Sequence, residues 1–179
     1  MSWLDAGCGQ GQLLDIAGKH FRRAAGCDPS RQMITCCASA KVYEQPSPVE
    51  LPFPDESFDL VTAVCVFHHV HGRDRTLLSD SIRRVLKPRG VFCVIEHNPW
   101  NPVTRLIVKR CSIDWDAELL SARKASRLMG SAAFEILERT YFLYCPESLF
   151  PAFSGIESWL RGCPLGGQYA VFGRRRTDV

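Results

Sequence analysis

The most restrictive feature of the sequence is a glycine-rich stretch near its beginning. An apolar run ends at Asp5, glycines follow at positions 7, 9 and 11, and residues 13–17 have helical spacing. Strand, glycine turn and helix in this order are typical of a loop that binds a nucleotide-like ligand. Glycine allows positive φ and close approach of a ligand to the backbone. We also expect the helix to aim free N–H groups at the ligand.

The spacing of the glycines narrows the choice of ligand. A dinucleotide fingerprint, G-x-G-x-x-G, would need glycine at position 12, where the chain has Gln12. This disfavours a dinucleotide-dependent oxidoreductase. The pattern is instead D-x-G-x-G-x-G, and residues 4–11, Leu-Asp-Ala-Gly-Cys-Gly-Gln-Gly, resemble motif I of the class I S-adenosylmethionine (SAM)-dependent methyltransferases.

The resemblance implies SAM as the cofactor. SAM has no pyrophosphate, so a short turn suffices for its amino acid end, and Asp5 is expected to receive the ammonium group. Asp28 ends the second predicted strand about 20 residues later, where nucleotide-binding folds place an acceptor for ribose hydroxyls. Its alternative role is to cap the helix predicted to begin at Ser30. The predicted cofactor-binding residues are Asp5, Gly7, Cys8, Gly9, Gly11, Asp28, Pro29, Met33, Ser47 and Val64.

Two of these assignments concern the adenine. Pro29 and Met33 are expected to pack against it. The family often has an acidic residue after the third strand to meet the adenine amino group, but this chain has Pro46-Ser47-Pro48. Ser47 or a backbone carbonyl is expected to take that role.

A second resemblance covers residues 51–61, L-P-F-x-D-x-S-F-D-L-V, which lead into the fourth strand in methyltransferases like those of ubiquinone and menaquinone biosynthesis. Residues 58–66 are nearly all apolar, as in a strand buried on both faces. His68 and His69 follow at its carboxyl end, where open α/β sheets bind their ligands.

The resemblance implies an α/β fold, a Rossmann-like doubly wound sheet of seven strands in the order 3-2-1-4-5-7-6 with strand 7 antiparallel. We predict one domain over residues 1–179. Family members usually carry a few tens of further residues, commonly helical, ahead of the first strand, so the chain is expected to lack that segment. The predicted helices are 12–19, 30–40, 75–86 and 122–132, and strands 2–7 are 23–28, 41–45, 58–66, 91–96, 135–144 and 168–174, with a turn at 87–90.

Methyl transfer from a sulfonium is an in-line displacement, which depends mainly on alignment in a dry pocket. It needs no metal, and a base helps when the acceptor is a hydroxyl or an acidic carbon. The candidate catalytic residues are His68, His69 and His97, each of which has a helix cap or a loop hydrogen bond as its alternative role. His71 is expected to face solvent. No acid or cysteine near His68-His69-Val70-His71 completes a metal site in the sequence, so we predict none.

Composition limits the partners. The chain has 179 residues, 46% hydrophobic and 23% charged, with dispersed basic residues and a net charge of +3, which does not indicate nucleic acid. Nine cysteines without a C-x-x-C pair predict a reduced, cytoplasmic protein without zinc. Cys27, Cys65 and Cys93 are placed in strands. No apolar run is long enough to span a membrane, and no secretory signal opens the chain.

Motifs for other acceptors are missing. Asn98-Pro99-Trp100 resembles the motif of DNA-base methyltransferases but follows the fifth strand instead of the fourth. We therefore predict a small-molecule, lipid or glycan-precursor acceptor. The alternative is a methyltransferase-like binding or regulatory module whose catalysis has lapsed. Within residues 145–167, Phe150, Phe153, Ile156, Trp159 and Leu160 are spaced as in an amphipathic helix that either packs over the sheet edge or lines an acceptor site.

Overall fold

The computed structural model describes residues 1–37, 41–145, 155 and 159–177 and shows a seven-stranded sheet. The strand order is β3-β2-β1-β4-β5-β7-β6, and β7 is antiparallel to both of its neighbours, as predicted. The strands are β1 Ser2–Ala6, β2 Arg23–Asp28, β3 Val42–Glu44, β4 Phe58–Val64, β5 Leu86–His97, β6 Phe134–Phe142 and β7 Gln168–Arg175.

Five α-helices lie in the described ranges: α1 Gln12–Ala17, α2 Arg31–Thr35, α3 Asp74–Val85, α4 Pro102–Arg110 and α5 Ala122–Ser131. The N-cap predicted at Ser121 is present, since its side chain accepts from the Lys124 N–H. Sequence reasoning missed α4, although its signal is clear. Asn101 caps the Thr104 N–H at 2.9 Å, and Pro102 occupies the first helical position, where proline is favoured. None of the described helices combines the length and apolar character that a membrane span requires.

The register of the sheet brings the motif residues to one edge. β1 lies between β2 and β4, with Asp5 opposite Gly26 on one side and Thr62 on the other. β1, β2, β4 and β5 are parallel, so their carboxyl ends meet at the same edge. Buried apolar side chains on these strands and on α3 and α5 form the main core. Open α/β sheets bind ligands at this edge, outside the strand ends.

Several strand boundaries differ from prediction, and the differences in β4 and β5 affect the edge that carries the motif residues. β4 ends at Val64 and not at residue 66, because Cys65 adopts a left-handed φ of 56° and turns the chain out of the sheet. The placement of Cys65 in a strand was therefore wrong. Residues 87–90, predicted as a separate turn, lie within β5 as a bulge, where Arg89 has φ 63°. Lys87 secures the bulge, since its Nζ lies 2.8 Å from Asp59 Oδ1.

Other local predictions have mixed outcomes. Cys27 and Cys93 are buried in β2 and β5, as expected. α2 ends at Thr35, short of the predicted end at residue 40, and residues 38–40 lie outside the described ranges. Within the predicted amphipathic helix, Phe150, Phe153 and Ile156 also lie outside the described residues. Trp159 is exposed and Leu160 is half-buried.

Candidate active site

The glycine turn is built on three left-handed residues. Gly7, Gly9 and Gly11 have φ values of 75°, 53° and 79°, which other residues adopt only with strain. A Cβ on Gly7 would lie 2.5 Å from Val66 Cγ2, so this glycine also lets the loop after β4 pack against the turn. A Cβ on Gly9 would meet nothing within 4 Å. Gly9 therefore borders open space.

The N–H groups of these turn residues are already engaged. Gly7 and Cys8 both donate to the Cys27 carbonyl, at 2.7 and 3.0 Å, and Gly9 donates to Asp28 Oδ2 at 2.8 Å. Gly11 donates to the Cys8 carbonyl at 2.9 Å. These four N–H groups are therefore not free for a ligand, whereas the expectation of free N–H groups concerned the helix that follows, α1. The turn is fixed to the end of β2, and these four residues present backbone surface, not free N–H donors, to a ligand.

A cavity of about 360 Å³ lies beside the turn, within the size range of small-molecule sites. Gly7, Gly9, Asp28, Pro29 and Met33 line it, as predicted for cofactor-binding residues. His69, predicted as a catalytic residue, also lines it. Sequence reasoning missed the other described lining residues, which are Ala6, Ser30, Gln45, Pro48, Cys65, Val66, Val70, Leu78 and Ile113. Most of these belong to loops that follow strand ends, and that position is the signal that could have identified them.

Asp28 can serve two functions at once. Its Oδ1 accepts from the Ser30 N–H at 2.8 Å, while Ser30 itself caps α2 by accepting from the Met33 N–H. The predicted capping alternative is therefore met by Ser30, with Asp28 forming the preceding turn. Each carboxylate oxygen has two acceptor positions. Asp28 thus retains acceptor capacity toward the cavity after its two backbone hydrogen bonds.

The remaining five predicted cofactor residues do not line the cavity: Asp5, Cys8, Gly11, Ser47 and Val64. Ser47 forms an isolated bridge with Glu50, and Gln45 and Pro48 face the cavity instead. Val64 is the last residue of β4, and the two residues that follow it reach the cavity. Cys8 and Gly11 are buried in the turn, where they support its shape.

Asp5 is buried behind the turn, with only 3% of its surface exposed. Its Oδ1 accepts from the Thr62 hydroxyl at 2.7 Å, and that hydroxyl accepts in turn from the Trp3 indole N–H at 2.9 Å. Burial raises the pKa of Asp5 to about 6, against the lowering effect of the Thr62 hydrogen bond, and the charge of Asp28 adds to the rise. Asp5 therefore carries a charge that the fold only partly compensates.

All three predicted catalytic histidines meet at the carboxyl ends of β4 and β5. The ring centroids of His68 and His69 lie 4.2 Å apart, and those of His68 and His97 lie 5.3 Å apart. Two acids that the sequence reasoning had not assigned join them. His68 Nδ1 lies 2.6 Å from Glu96 Oε2, and Asp114 Oδ1 lies 3.3 Å from Nε2 of both His68 and His69. We call these five residues the histidine cluster.

The prediction that no acid or cysteine near these histidines in the sequence completes a metal site therefore did not take account of two acids that the fold brings beside them. Glu96 stands at the carboxyl end of a buried strand, a position that could have drawn attention to it. Asp114 lies in the segment between α4 and α5, 46 residues after His68, and no local pattern connects the two. His71 is exposed, as predicted, with Nδ1 3.5 Å from Glu118 Oε2.

The three histidines of the cluster differ in the protonation state that their surroundings favour. Burial acts to lower the pKa of His68, but the hydrogen bond and charge of Glu96, with the charge of Asp114, outweigh burial and raise it. Burial lowers the pKa of His69 and of His97, and the positive charge of His68 lowers both further. His68 is thus favoured as an imidazolium, whereas His69 and His97 are favoured as neutral bases.

The loop that carries these histidines is held from both sides. The Phe67 N–H donates to Glu96 Oε1 at 2.6 Å, so both oxygens of this fully buried carboxylate are engaged. Arg75 Nε donates to the carbonyls of Phe67 and Val70, at 3.1 and 2.5 Å. Residues 67–70 are therefore fixed against β5 and α3.

A second cavity, of about 440 Å³, adjoins the histidine cluster at His97, whereas the first cavity reaches it at His69. The lining of the second cavity is mainly apolar. His97 and Gln168 line it, together with Asn101, Val103, Thr104, Ile107, Leu143, Tyr144, Cys145 and Gly167. The partition between the two cavities is thin. Cys65, which lines the first cavity, has its Sγ 3.7 Å from His97 Nε2 and 3.6 Å from Gln168 Nε2.

Two larger clefts, of about 560 and 650 Å³, lie away from these residues. One is formed around Trp100 and α5, the other around residues 49–54 and α3, and neither contains a glycine of the turn or a residue of the histidine cluster. The chemistry of the lining residues therefore favours the first cavity as the binding site, although it is smaller than these two clefts. It combines open space at Gly9, an available Asp28 carboxylate and the apolar side chains of Pro29 and Met33.

Comparisons with known proteins agree with this geometry. The methyltransferase domain family model matches residues 4–94. An uncharacterized methyltransferase of Bacillus subtilis is 28% identical over 109 residues, 56% of this chain and 42% of the relative. A tRNA (carboxymethyluridine(34)-5-O)-methyltransferase of Arabidopsis thaliana is 31% identical over 93 residues, 51% of this chain and 22% of the relative.

The chain thus spans less than half of the length of these two relatives. In structure it is similar to a SAM-dependent methyltransferase from Archaeoglobus fulgidus, with a TM-score of 0.77 and 18% identity over 97% of this chain and 86% of that one. The fold and the matched domain, which takes up half of the sequence and includes the glycine turn, Asp28 and His68, lead to one conclusion. The chain belongs to the family of SAM-dependent methyltransferase domains.

Proposed function

We propose that residues 1–179 form one catalytic domain that transfers a methyl group from SAM to a small acceptor with an apolar part. The observation that carries the proposal is the cavity bounded by the glycine turn and Asp28, which opens beside three histidines. SAM supplies an electrophilic methyl group on a sulfonium. The chain's contribution is to hold donor and acceptor in line and to exclude water.

Asp28 has the central role in donor binding under this proposal. The N–H groups of Gly9 and Ser30 hold its carboxylate in place by hydrogen bonds, so the lone pairs that remain on the two oxygens have a fixed direction. Such a preorganised carboxylate accepts ribose hydroxyls at little entropic cost. Asp5 lies behind the turn, and its partly compensated charge favours a cation, such as an ammonium group, at the turn.

His69 is the proposed proton acceptor. It is the one member of the histidine cluster that lines the donor cavity, and its lowered pKa keeps it neutral near pH 7. Its Nε2 lies 3.3 Å from Asp114 Oδ1, and its Nδ1 is 4.0 Å from Asp116 Oδ1. Nδ1 is therefore proposed to carry the lone pair that accepts the proton. His68 and His97 are then positioning residues. His68 is held by Glu96, and His97 lines the second cavity.

The second cavity is the proposed seat of the acceptor. Its lining is largely apolar, and one thin partition separates it from the donor cavity. A lipid, a glycan precursor or another small molecule suits it better than a nucleic acid, because the net charge is only +3 and basic residues do not cluster. All nine cysteines are free thiols, which supports a reducing, cytoplasmic setting.

The test of donor binding is calorimetry with SAM and S-adenosylhomocysteine. Wild-type protein is expected to bind both, and Asp28→Asn is expected to weaken them about 10- to 100-fold, the range for a charged hydrogen bond. Asp15→Asn, a matched change on the exposed face of α1, should leave both affinities unchanged. Failure of the wild type to bind either compound would remove the proposal.

The test of transfer uses SAM with a labelled methyl group and separate small-molecule, lipid and tRNA acceptor pools. Label in a small molecule or lipid is expected, and label confined to tRNA would overturn the acceptor assignment. His69→Gln should lower kcat by about 10²-fold or more, while His71→Gln should not. Tight SAM binding without methyl transfer to any acceptor pool would favour the alternative, a binding or regulatory module that has lost catalysis.

A further inference from the structure

The histidine cluster has the geometry of a metal site. One ligand atom from each of His68, His97 and Asp114 lies within 4.8 Å of the others. Zinc bonds of about 2.0–2.1 Å at tetrahedral angles place ligand atoms about 3.3 Å apart. His68 Nε2 and Asp114 Oδ1 already have this separation, at 3.3 Å. The ligand atom of His97 lies within 4.8 Å of the other two and would move closer to complete the geometry.

The two contacts of His68 differ in a way that also indicates a metal. Its Nδ1 makes a short hydrogen bond of 2.6 Å to Glu96, whereas the 3.3 Å contact to Asp114 is longer than a good charged hydrogen bond. Metal-bound histidines typically donate their other ring N–H to a carboxylate, which fixes the tautomer and orients the ring. Glu96 is fully buried and has this relation to His68.

Charge balance favours a divalent cation. Glu96 and Asp114 contribute two formal negative charges beside the imidazole of His68 in a largely buried place. Arg75, at the start of α3, is directed to backbone carbonyls and to Glu118. A divalent ion that replaces the Nε2 proton of His68 would bring the sum to zero, which reduces the cost of burying these charges.

We propose that His68, His97 and Asp114 bind one divalent metal ion of the zinc class, with Glu96 orienting His68. Three protein ligands leave a fourth position open, the arrangement of catalytic and not of structural zinc sites. The site lies where the donor and acceptor cavities adjoin, since His97 lines one and Cys65, its neighbour at 3.7 Å, lines the other. This assignment goes beyond the proposed methyl transfer, which needs no metal.

The test is titration of the metal-free protein with Co²⁺ and with Zn²⁺, with no SAM present. We expect one equivalent to bind, with a Co²⁺ absorption spectrum typical of tetrahedral nitrogen and oxygen ligands. His97→Gln and Asp114→Asn should each weaken binding by about 100-fold or more. Glu96→Gln should weaken it about 10- to 100-fold, as for loss of an orienting partner. His71→Gln, a histidine outside the set, should bind like wild type.

Two outcomes would overturn the proposal. One is the absence of a one-equivalent site in a folded wild-type protein. The other is equal binding by His97→Gln and His71→Gln, with a thiolate spectrum, which would assign the metal to free cysteines. His97→Gln leaves the buried pair of His68 and Glu96 intact, so its thermal unfolding midpoint verifies that it is folded. SAM calorimetry on the metal-free protein is a separate readout, so failure of either proposal is distinguishable from failure of the other.

Discussion

The glycine turn and the histidine cluster lie at the same edge of the sheet but are built in opposite ways. The turn comes from consecutive residues, and its charged group, Asp28, is held by the backbone N–H groups of Gly9 and Ser30. The cluster brings together β4, β5 and the segment that contains Asp114, and its charged groups hold one another. The turn therefore depends on backbone conformation, and the cluster depends on pairing between side chains.

Glu96→Gln is expected to have the largest effect on stability. The change removes the negative partner of His68, and one amide oxygen cannot serve both His68 and the Phe67 N–H. Breaking a buried ion pair costs about 3–5 kcal/mol in the free energy of unfolding. Urea unfolding measures this loss, and Glu118→Gln, which removes a half-exposed partner of Arg75, should cost less than about 1 kcal/mol. Equal losses in the two variants would contradict the dependence of the cluster on buried pairing.

Gly7→Ala tests the opposite dependence, on backbone conformation. The left-handed φ of 75° costs about 1–2 kcal/mol for a residue with a Cβ. Contact with Val66, at 2.5 Å, adds about 1–3 kcal/mol, the usual cost of overpacking. We expect a loss of about 2–5 kcal/mol in urea unfolding, together with weaker binding of S-adenosylhomocysteine. A variant of wild-type stability would show that the turn and the loop after β4 are not packed together.

Asp5→Asn should stabilise the protein at alkaline pH. The pKa of Asp5 is 3.8 in the unfolded chain and about 6 in the folded protein, so the folded state binds more protons between these values and stability falls as the pH rises through them. Above pH 6 the full cost of the buried charge is present. The variant should gain about 3 kcal/mol at pH 8 and lose most of that advantage near pH 4.

Unfolding measured at both pH values tests the sign. If the advantage of Asp5→Asn were larger at pH 4 than at pH 8, Asp5 would be stabilised as a carboxylate, contrary to its buried position. Calorimetry on the same variant sharpens the comparison of the two regions. We expect weaker SAM binding despite higher stability, because the charge that destabilises the free protein favours a cation at the turn.

Gly9→Ala and Gly72→Ala form the most closely matched pair, with the smallest expected change in stability. Their φ values are 53° and 54°, and a Cβ on either would meet nothing within 4 Å. Both variants should lose about 1 kcal/mol in urea unfolding. Only Gly9 lines the donor cavity, so only Gly9→Ala should weaken S-adenosylhomocysteine in calorimetry. Equal affinities would exclude a ligand at the turn.

The same contrast explains what could be predicted from the sequence. The strand order, the glycine turn and Asp28 follow from local patterns and from family resemblance, and the structure confirms the order and places Asp28 at the cavity. His68, His69 and His97 were identified because each follows a strand end. Their association with Asp114 could not be predicted, since it depends on how the chain between α4 and α5 returns to the sheet.

Two differences between the expected and the observed lining of the cavity have a common physical cause. Val64 was expected at the cavity because β4 was extended to residue 66, but the left-handed conformation of Cys65 ends the strand and shifts the lining to Cys65 and Val66. Asp5 was expected to face the ligand, and its hydrogen bond to Thr62 holds it behind the turn. Both outcomes depend on the direction of single side chains, which a pattern in one sequence does not specify.

The pairing of β5 has a consequence for how this chain tolerates insertions. Successive residues of a strand point to opposite faces, and Glu96 and His97 are neighbours held opposite Tyr169 and Gln168 of β7. Adding or deleting a single residue between Leu86 and Ile95 would exchange the faces of the acid and the imidazole. A strand with a shifted register can keep its backbone hydrogen bonds, but Glu96 would then point away from His68. The length of β5 is therefore itself a determinant of the chemistry at its end.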